Sequence, residues 1–124
     1  MSAAGAAPGP PGRGEVWLIR LPRAVGAELQ RDRPAVVVSS AAFDPAPVRI
    51  VVPLTRWRDE FADSINKVRI EASDRNGLHE DSAADFLQVR SVALERLIER
   101  LGELDAALVE EIVAGIVIGI DYRP

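Results

Sequence analysis

Three polar side chains in the first half of the chain could together catalyse a proton-transfer reaction. Residues 26–33 read G-A-E-L-Q-R-D-R and lead into Pro34, while Thr55 ends the apolar run V-R-I-V-V-P-L-T. Pro34 biases Arg33 towards an extended conformation, which places its guanidinium at the rim of the following strand. Glu28 would supply a base, Arg33 a permanent cation and Thr55 a hydrogen-bond donor. No metal is needed if the substrate carries its own nucleophile, as RNA does in its 2′-hydroxyl.

The same residues also have a purely structural interpretation. An ion pair between Glu28 and Arg33 would pin the loop. A hydroxyl at the end of a strand, such as that of Thr55, is usually a local hydrogen-bonding group. Composition alone favours this interpretation, so the chemistry depends on further features of the sequence.

The composition excludes several other kinds of catalytic site. The chain has no cysteine, which rules out disulfides, thiolate metal ligands and cysteine nucleophiles. Its one histidine, His79, can form neither a histidine pair nor a poly-histidine metal site within one chain, and its acidic neighbours predict a solvated side chain. Proton chemistry must therefore come from carboxylates, Arg, Lys, Tyr or hydroxyl groups, and no cofactor is expected.

Charge is distributed unevenly along the chain. The net charge of −4 argues against a general nucleic-acid-binding protein. Residues 1–58, however, carry eight Arg against four carboxylates, and residues 59–124 carry 15 carboxylates against seven basic residues. A basic face on an acidic body is therefore expected, and local patches decide phosphate binding more than net charge does.

Short apolar runs separated by turn-forming residues predict a mainly β fold. The predicted strands are residues 14–21, 34–40, 48–55, 67–72 and 84–92. Pro53 indicates an edge or a bulge in the third of them. Short strands joined by irregular loops favour a small barrel of about five to seven strands over a parallel sheet.

The C-terminal part of the chain has a helical pattern. Residues 94–100 predict a short helical turn, and Asp105 is a suitable N-cap for a C-terminal helix with an apolar stripe. Gly115 and Gly119 lie four residues apart on this helix. They predict close packing against the sheet or against a second subunit.

The length of 124 residues predicts a single domain, which we place at residues 14–124. Residues 1–13 are rich in Gly, Ala and Pro and predict a disordered tail. They lack the apolar region of a signal peptide, and no apolar run is long enough to span a membrane. The expected location is therefore the cytoplasm.

The order and spacing of several segments resemble the MazF/PemK family of mRNA interferase toxins. These segments are GEVWLIRL, GAELQRDRPAVVVSS, VRIVVPLT, NGLHEDS, LQVRSV and RLGELDAALVEEI, within residues 14–121. The resemblance implies a small SH3-like barrel with a C-terminal helix, assembled as a homodimer. It also implies sequence-specific, metal-independent cleavage of single-stranded RNA to 2′,3′-cyclic phosphate and 5′-hydroxyl ends. A MazE-like antitoxin would neutralise the enzyme.

The resemblance also assigns roles to residues. The catalytic Glu, Arg and Thr of the family fall on Glu28, Arg33 and Thr55 of this chain. Arg33 would stabilise the charge on the reacting phosphate, Thr55 would donate to a phosphate oxygen, and Glu28 is our candidate base. The family often has Ser and Gln on either side of this Glu, whereas this chain has Ala27 and Leu29.

Further residues are predicted to bind RNA. They are Arg31, Arg56, Trp57, Arg58, Gln88 and Arg90. Trp57 lies between two Arg residues, a pattern in which an aromatic ring can stack on a base while cations hold phosphates. The alternative is that Trp57 folds onto its own loop. Trp17, in contrast, is predicted to lie in the core or at a dimer interface.

Two other functions remain open from the sequence. One is a non-catalytic inhibitor on the same barrel, similar to the gyrase-poisoning CcdB family, in which the C-terminal helix binds the target. The other is an inactive binding module that has lost function at Ala27 and Leu29.

Overall fold

A computed structural model describes residues 9–124, which form an antiparallel sheet of seven strands and one C-terminal helix. The strands are β1 (Glu15–Leu21), β2 (Arg31–Val37), β3 (Val48–Arg56), β4 (Lys67–Ile70), β5 (Ser82–Asp85), β6 (Arg90–Ala93) and β7 (Leu97–Glu103). The helix α1 spans Ala106–Gly119. Short 3₁₀ turns occupy Ala41–Phe43, Asp59–Asp63, Phe86–Gln88 and Leu94–Arg96.

The strand order is β4-β5-β3-β2-β1-β7, and β6 also pairs with β3. The predicted mainly β fold with a C-terminal helix is therefore confirmed. The end strands β4 and β7 do not pair with each other, so the sheet is not a closed barrel. It remains open along the exposed edge of β7, which pairs only with β1.

The nine-residue strand β3 organises the sheet, because it pairs with three other strands. Its first half, residues 48–51, pairs with β6 and its last residues, 54–56, pair with β5. Pro53 lies between these two stretches, where β3 changes its partner from β6 to β5. Its missing N–H therefore removes no hydrogen bond from the pairing with β6 or from the pairing with β5. The prediction that Pro53 marks an edge or a bulge is therefore wrong: Pro53 is fully buried in a strand that has neighbours on both sides.

Alternating side chains of the central strands enter two hydrophobic clusters. The larger cluster packs the sheet against α1 and includes Val36, Val52 and Ile112. The smaller one includes Trp17, Ile19 and other side chains that alternate with the first set along the same strands. The central residues of β1 to β3 are thus buried on both faces of the sheet, whereas Val48 and Ile50 near the start of β3 are exposed. Trp17 is a core residue, as one of its two predicted roles proposed.

Two predicted elements differ from the structure. The single strand predicted at residues 84–92 is divided into β5 and β6 by the 3₁₀ turn Phe86–Gln88. The helical turn predicted at residues 94–100 ends at Arg96, and the chain continues as β7. Strand β7 is an edge strand with mostly exposed side chains, so its residues lack the apolar alternation by which a buried strand is recognised.

The predicted disordered tail covers residues 1–13, of which residues 1–8 lie outside the described part of the chain. Pro11 is held against the sheet, because its carbonyl accepts a hydrogen bond of 2.8 Å from Nε of Arg49. Arg49 is only 1% exposed and also donates to the carbonyl of Ala46 at 3.0 Å. The ordered contacts of the domain thus begin three residues before the predicted boundary.

Helix α1 begins after Asp105, as predicted, although the side chain of Asp105 makes no capping hydrogen bond. Gly115 is buried against the ring of Phe86, which confirms close packing of the helix on the rest of the domain. No helix within residues 9–124 is long and apolar enough to span a membrane.

We expect Gly115→Ala to lower the free energy of unfolding by about 1–3 kcal/mol, because overpacking in a filled core strains its neighbours. A Cβ at this position would lie 2.5 Å from a ring carbon of the buried Phe86. Gly119→Ala is the matched control, since its Cβ would meet only the flexible end of Leu87 at 3.2 Å. Urea unfolding of both variants measures the difference. Equal stability of the two would contradict this packing.

Candidate active site

The three candidate catalytic residues come from neighbouring parts of the sheet. Arg33 lies on β2, Thr55 lies near the end of β3, and Glu28 lies in the loop of residues 22–30 that joins β1 to β2. Strands β2 and β3 pair at residues 35–37 and 51–53, just beyond the two side chains. This pairing fixes the backbone of Arg33 and Thr55 relative to each other.

The guanidinium of Arg33 is held by backbone carbonyls. Its Nε donates to the carbonyl of Gln30 at 2.9 Å, and its Nη1 donates to the carbonyl of Leu54 at 3.2 Å. The second of these carbonyls belongs to the peptide bond that leads into Thr55. Arg33 makes no ion pair with a carboxylate among residues 9–124. Its positive charge is therefore oriented but not neutralised.

Burial lowers the pKa of Arg33 below its usual value, and the nearby positive charge of Arg31 lowers it further. Both effects disfavour the charged form in the free protein. A negative charge beside this guanidinium would favour its charged form and so oppose both effects.

Glu28 is positioned by a tight turn rather than by an ion pair with Arg33. Its N–H donates to the carbonyl of Val25 at 3.2 Å, and its Oε1 accepts from the N–H of Val25 at 2.8 Å. Gly26 has a φ of 59° at the first central position of this turn, a conformation that favours glycine. The carboxylate remains exposed. The structural alternative of a Glu28–Arg33 ion pair is thus not formed.

Two clefts meet at Thr55. The first cleft has a volume of about 940 Å³, and both Glu28 and Thr55 line it. The second cleft has a volume of about 490 Å³, and both Arg33 and Thr55 line it. The three side chains make no direct hydrogen bond with one another in the described part of the chain. Thr55 therefore lies between the cleft lined by the Glu28 carboxylate and the cleft lined by the Arg33 guanidinium.

Two of the predicted RNA-binding arginines have cationic groups that no carboxylate neutralises. Arg90 lines the first cleft and Arg31 lines the second, and neither forms an ion pair with another residue in the range 9–124. Arg31 has a φ of 75°, which is uncommon for a residue with a side chain. Both clefts therefore carry a positive charge that is available to a polyanion.

The two arginines beside Trp57 are paired with acidic groups. Arg56 lies 3.3 Å from a carboxylate oxygen of Glu80, and Arg58 lies 3.7 Å from one of Glu60. Both pairs are exposed, and exposed pairs contribute little to stability. Arg58 lines the first cleft and Arg56 the second, so either could exchange its carboxylate for a phosphate.

Trp57 itself lines neither cleft. Its ring packs edge-on against Phe61 with the centroids 5.9 Å apart, and the guanidinium of Arg69 lies 4.9 Å from the ring centre. These contacts match the alternative in which Trp57 folds onto its own loop. Contact of Trp57 with RNA stays a prediction.

Gln88 lies in the 3₁₀ turn between β5 and β6 and lines the first cleft. Its side-chain amide is partly exposed and hydrogen-bonds to the backbone of the Glu28 loop. Oε1 accepts from the N–H of Leu29 at 3.0 Å, and Nε2 donates to the carbonyl of Ala27 at 2.8 Å. The side chain of Leu29 packs against the smaller hydrophobic cluster.

Several residues of the clefts were not identified from the sequence. In the first cleft they include Phe61, Asn66, Lys67 and Asp85. Asn66 donates to Asp85 at 2.9 Å, and the ammonium of Lys67 lies 4.6 Å from the ring centre of Phe61. The exposed His79 lines the second cleft with Arg33. Only Phe61 had a usable signal, as an aromatic residue in the same loop as Trp57.

The fold is that of solved MazF toxins. The crystal structure of MazF from Deinococcus radiodurans superposes with a TM-score of 0.76 at 21% identity, over 90% of this chain and 97% of that one. An endoribonuclease from a mycobacterial species, solved in complex with its cognate antitoxin, gives a TM-score of 0.71 at 20% identity, over 92% of this chain and 98% of that one.

Sequence comparison goes further than the fold. Residues 12–119 match the family described as PemK-like, MazF-like toxin of type II toxin–antitoxin system. Endoribonuclease MazF9 of Mycobacterium tuberculosis is 35% identical over 105 residues, which are 77% of this chain and 83% of that protein. The chain belongs to the PemK/MazF family. These matches support the MazF-like interpretation of the sequence over the CcdB-like alternative.

The strained backbone at Arg31 generates a prediction about stability. We expect Arg31→Gly to have a free energy of unfolding about 1 kcal/mol higher than Arg31→Ala, because only glycine adopts positive φ without steric cost. The two variants lose the same cation, so the comparison isolates the backbone. Thermal or urea unfolding measures it. If Arg31→Ala were the more stable variant, position 31 would not have the left-handed conformation.

Proposed function

We propose that this protein is the toxin of a toxin–antitoxin pair and cleaves single-stranded RNA as a sequence-specific endoribonuclease. One observation carries the proposal. The guanidinium of Arg33 is half-buried, oriented by two carbonyls and left without a carboxylate, beside a hydroxyl at the junction of two clefts. Membership of the PemK/MazF family and the relative named an endoribonuclease support the same reaction.

The reaction needs only groups that this chain and RNA supply. Glu28 removes the proton of a ribose 2′-hydroxyl, whose oxygen then forms a bond to the adjacent phosphorus. The bond from phosphorus to the 5′-oxygen of the next nucleotide breaks, and Arg33 gives a proton to that oxygen. The products are a 2′,3′-cyclic phosphate and a 5′-hydroxyl. Before the next cycle, Glu28 releases its proton to water and Arg33 regains a proton from water.

Arg33 and Thr55 act on the phosphate in this mechanism. Negative charge on the non-bridging oxygens increases as the fifth bond to phosphorus forms. A preorganised cation and hydroxyl donor are most effective at such a point, because they need no reorganisation during the reaction. The lowered pKa of Arg33 also makes its guanidinium a better proton donor than an exposed arginine.

The clefts indicate how RNA reaches these groups. The nucleotide with the reactive 2′-hydroxyl would occupy the first cleft, with Glu28, and the following nucleotide the second cleft, with Arg33. Arg90 and Arg31 would contact phosphates on either side. Arg56 and Arg58 would do so after releasing their carboxylate partners.

We further propose a homodimer in the cytoplasm that binds an antitoxin. Val48 and Ile50 of β3 are 42% and 44% exposed, and a second copy would cover such apolar side chains on a strand. A mycobacterial relative of this fold was solved with its cognate antitoxin. An acidic antitoxin segment would compete with RNA for the cationic clefts.

The mechanism predicts that the purified protein cleaves single-stranded RNA in the presence of EDTA. Glu28→Ala, Arg33→Ala and Thr55→Ala should each reduce the single-turnover rate by roughly 100-fold or more, because each removes a group that acts in the transition state. Arg123→Ala is the charge-matched control for Arg33→Ala, since Arg123 pairs with Asp121 and lines neither cleft. Mass spectrometry of the fragments should find 2′,3′-cyclic phosphates.

Two results would contradict the proposal. Undiminished cleavage by both Glu28→Ala and Arg33→Ala would show that these residues do not have the assigned roles. Trapping of gyrase on cleaved DNA, with no cleavage of RNA, would instead support a CcdB-like inhibitor.

A further inference from the structure

The side chain of Gln88 joins the loop of Glu28 to the sheet. The amide of Gln88 accepts from the N–H of Leu29 at 3.0 Å and donates to the carbonyl of Ala27 at 2.8 Å. These two backbone groups lie immediately on either side of Glu28. One side chain, about sixty residues away in sequence, thus satisfies a donor and an acceptor of the loop at once.

The other hydrogen bonds of this loop are local. Val25 pairs with Glu28, and the side chain of Gln30 accepts from the N–H of Ala24 at 3.0 Å. Arg33 holds the carbonyl of Gln30, at the end of the loop, while it also bonds the carbonyl of Leu54 next to Thr55. None of these contacts holds the backbone of Ala27 or Leu29 to another element. Apart from the packing of Leu29 on the smaller hydrophobic cluster, the amide of Gln88 makes the contact that ties residues 27–29 to the β5–β6 side of the first cleft.

The backbone that carries Gln88 is itself well fixed. Its 3₁₀ turn is bounded by β5 and β6, both of which pair with β3. Phe86 in the same turn is buried against Gly115 of α1. Thr55 lies on β3, so Gln88 and Thr55 are held by the same strand. The side chain of Gln88 therefore connects the loop of Glu28 to a turn whose flanking strands both pair with β3, the strand that carries Thr55.

We propose that Gln88 is a positioning residue that holds Glu28 in register with Thr55 and Arg33, rather than an RNA-binding residue. This inference rests on the proposed function. The loop holds both polar ends of the amide, through one accepted and one donated hydrogen bond, so its orientation is set by residues 27–29 rather than by a base. A displacement of a catalytic group by about 1 Å can cost roughly 100-fold in rate, so the contact affects catalysis although Gln88 touches no reacting atom.

Gln88→Ala tests the proposal by two independent readouts. We expect kcat to fall by roughly 10- to 100-fold with little change in KM for RNA, because binding groups are left intact. Amide hydrogen exchange of residues 25–30 should become faster in the absence of RNA. The control is Gln30→Ala, which removes the amide of the chain's other glutamine. It should change loop exchange and kcat much less, because its bond is internal to the loop.

Gln88→Glu provides a pH-dependent test with nearly the same shape. Its carboxylate still accepts from Leu29 but repels the carbonyl of Ala27 at neutral pH. The rate relative to wild type should therefore rise as the pH is lowered from about 7 to about 4, because a glutamic acid, whose ordinary pKa is about 4.3, then gains a proton that it can donate. A merely structural defect would not recover in this way.

A rise in KM for Gln88→Ala with unchanged loop exchange would overturn the proposal and make Gln88 an RNA contact. Unchanged exchange and unchanged kinetics would overturn it as well. If the wild-type protein cleaved no RNA but Gln88→Ala still showed faster loop exchange, the positioning contact would be supported and the proposed endoribonuclease activity would be rejected. Failure of the two proposals is thus distinguishable.

Discussion

The hydrogen bond from Arg33 to the carbonyl of Leu54 is the interaction on which the rest of the site depends. A buried or half-buried arginine is most often paired with a carboxylate, which holds it and neutralises it together. Here backbone carbonyls orient the guanidinium and leave most of its charge uncompensated. The bond also brings the cation to the peptide group next to Thr55. Pairing of β2 with β3 makes this contact possible, because it fixes both strands along three consecutive residue pairs.

The other two candidate catalytic residues are held near this cation by two different parts of the structure, strand β3 and the loop before β2. Residues 51–54 of β3 are buried, and the strand pairs with neighbours on both sides, so it fixes the backbone of Thr55 at the boundary of the two clefts. The loop before β2 is exposed and shaped by local hydrogen bonds, and it carries Glu28. In the proposed mechanism, groups from the loop and from the strand must nevertheless act on one phosphate. The amide of Gln88 provides such a connection from the rigid side.

The sequence was informative where burial imposes a regular pattern. The central strands and α1 follow from apolar runs and from Asp105. The strand predicted at residues 34–40 begins at Arg31 and ends at Val37, so Arg33 lies within β2 and not at the rim before it. Exposed elements were less predictable, since the edge strand β7 lacks a buried stripe and the 3₁₀ turn at Phe86–Gln88 interrupts a run that looks like one strand. The open sheet depends on which strands pair, and periodicity does not encode this.

The catalytic candidates could be predicted from the sequence, whereas most residues that line their clefts could not. Glu28, Arg33 and Thr55 could be selected from residue type, spacing and a family resemblance. Asp85 and Gln88, however, line the first cleft and are held there by long-range contacts. Asp85 accepts from Asn66, nineteen residues away, and Gln88 bonds to a loop about sixty residues away. Long-range contacts of this kind have no local sequence signal. Gln88 could be recognised as a polar residue near the site, but its hydrogen-bond partners required coordinates.

The most direct measurement is a crystal structure of the wild-type protein with an oligoribonucleotide that carries a 2′-deoxy sugar at the cleavage position. Such a substrate binds but has no nucleophile. A non-bridging oxygen of the scissile phosphate should lie about 3 Å from both a guanidinium nitrogen of Arg33 and the hydroxyl of Thr55. The central claim would be contradicted if Arg56 and Arg58 held that phosphate while Arg33 kept only its carbonyl partners.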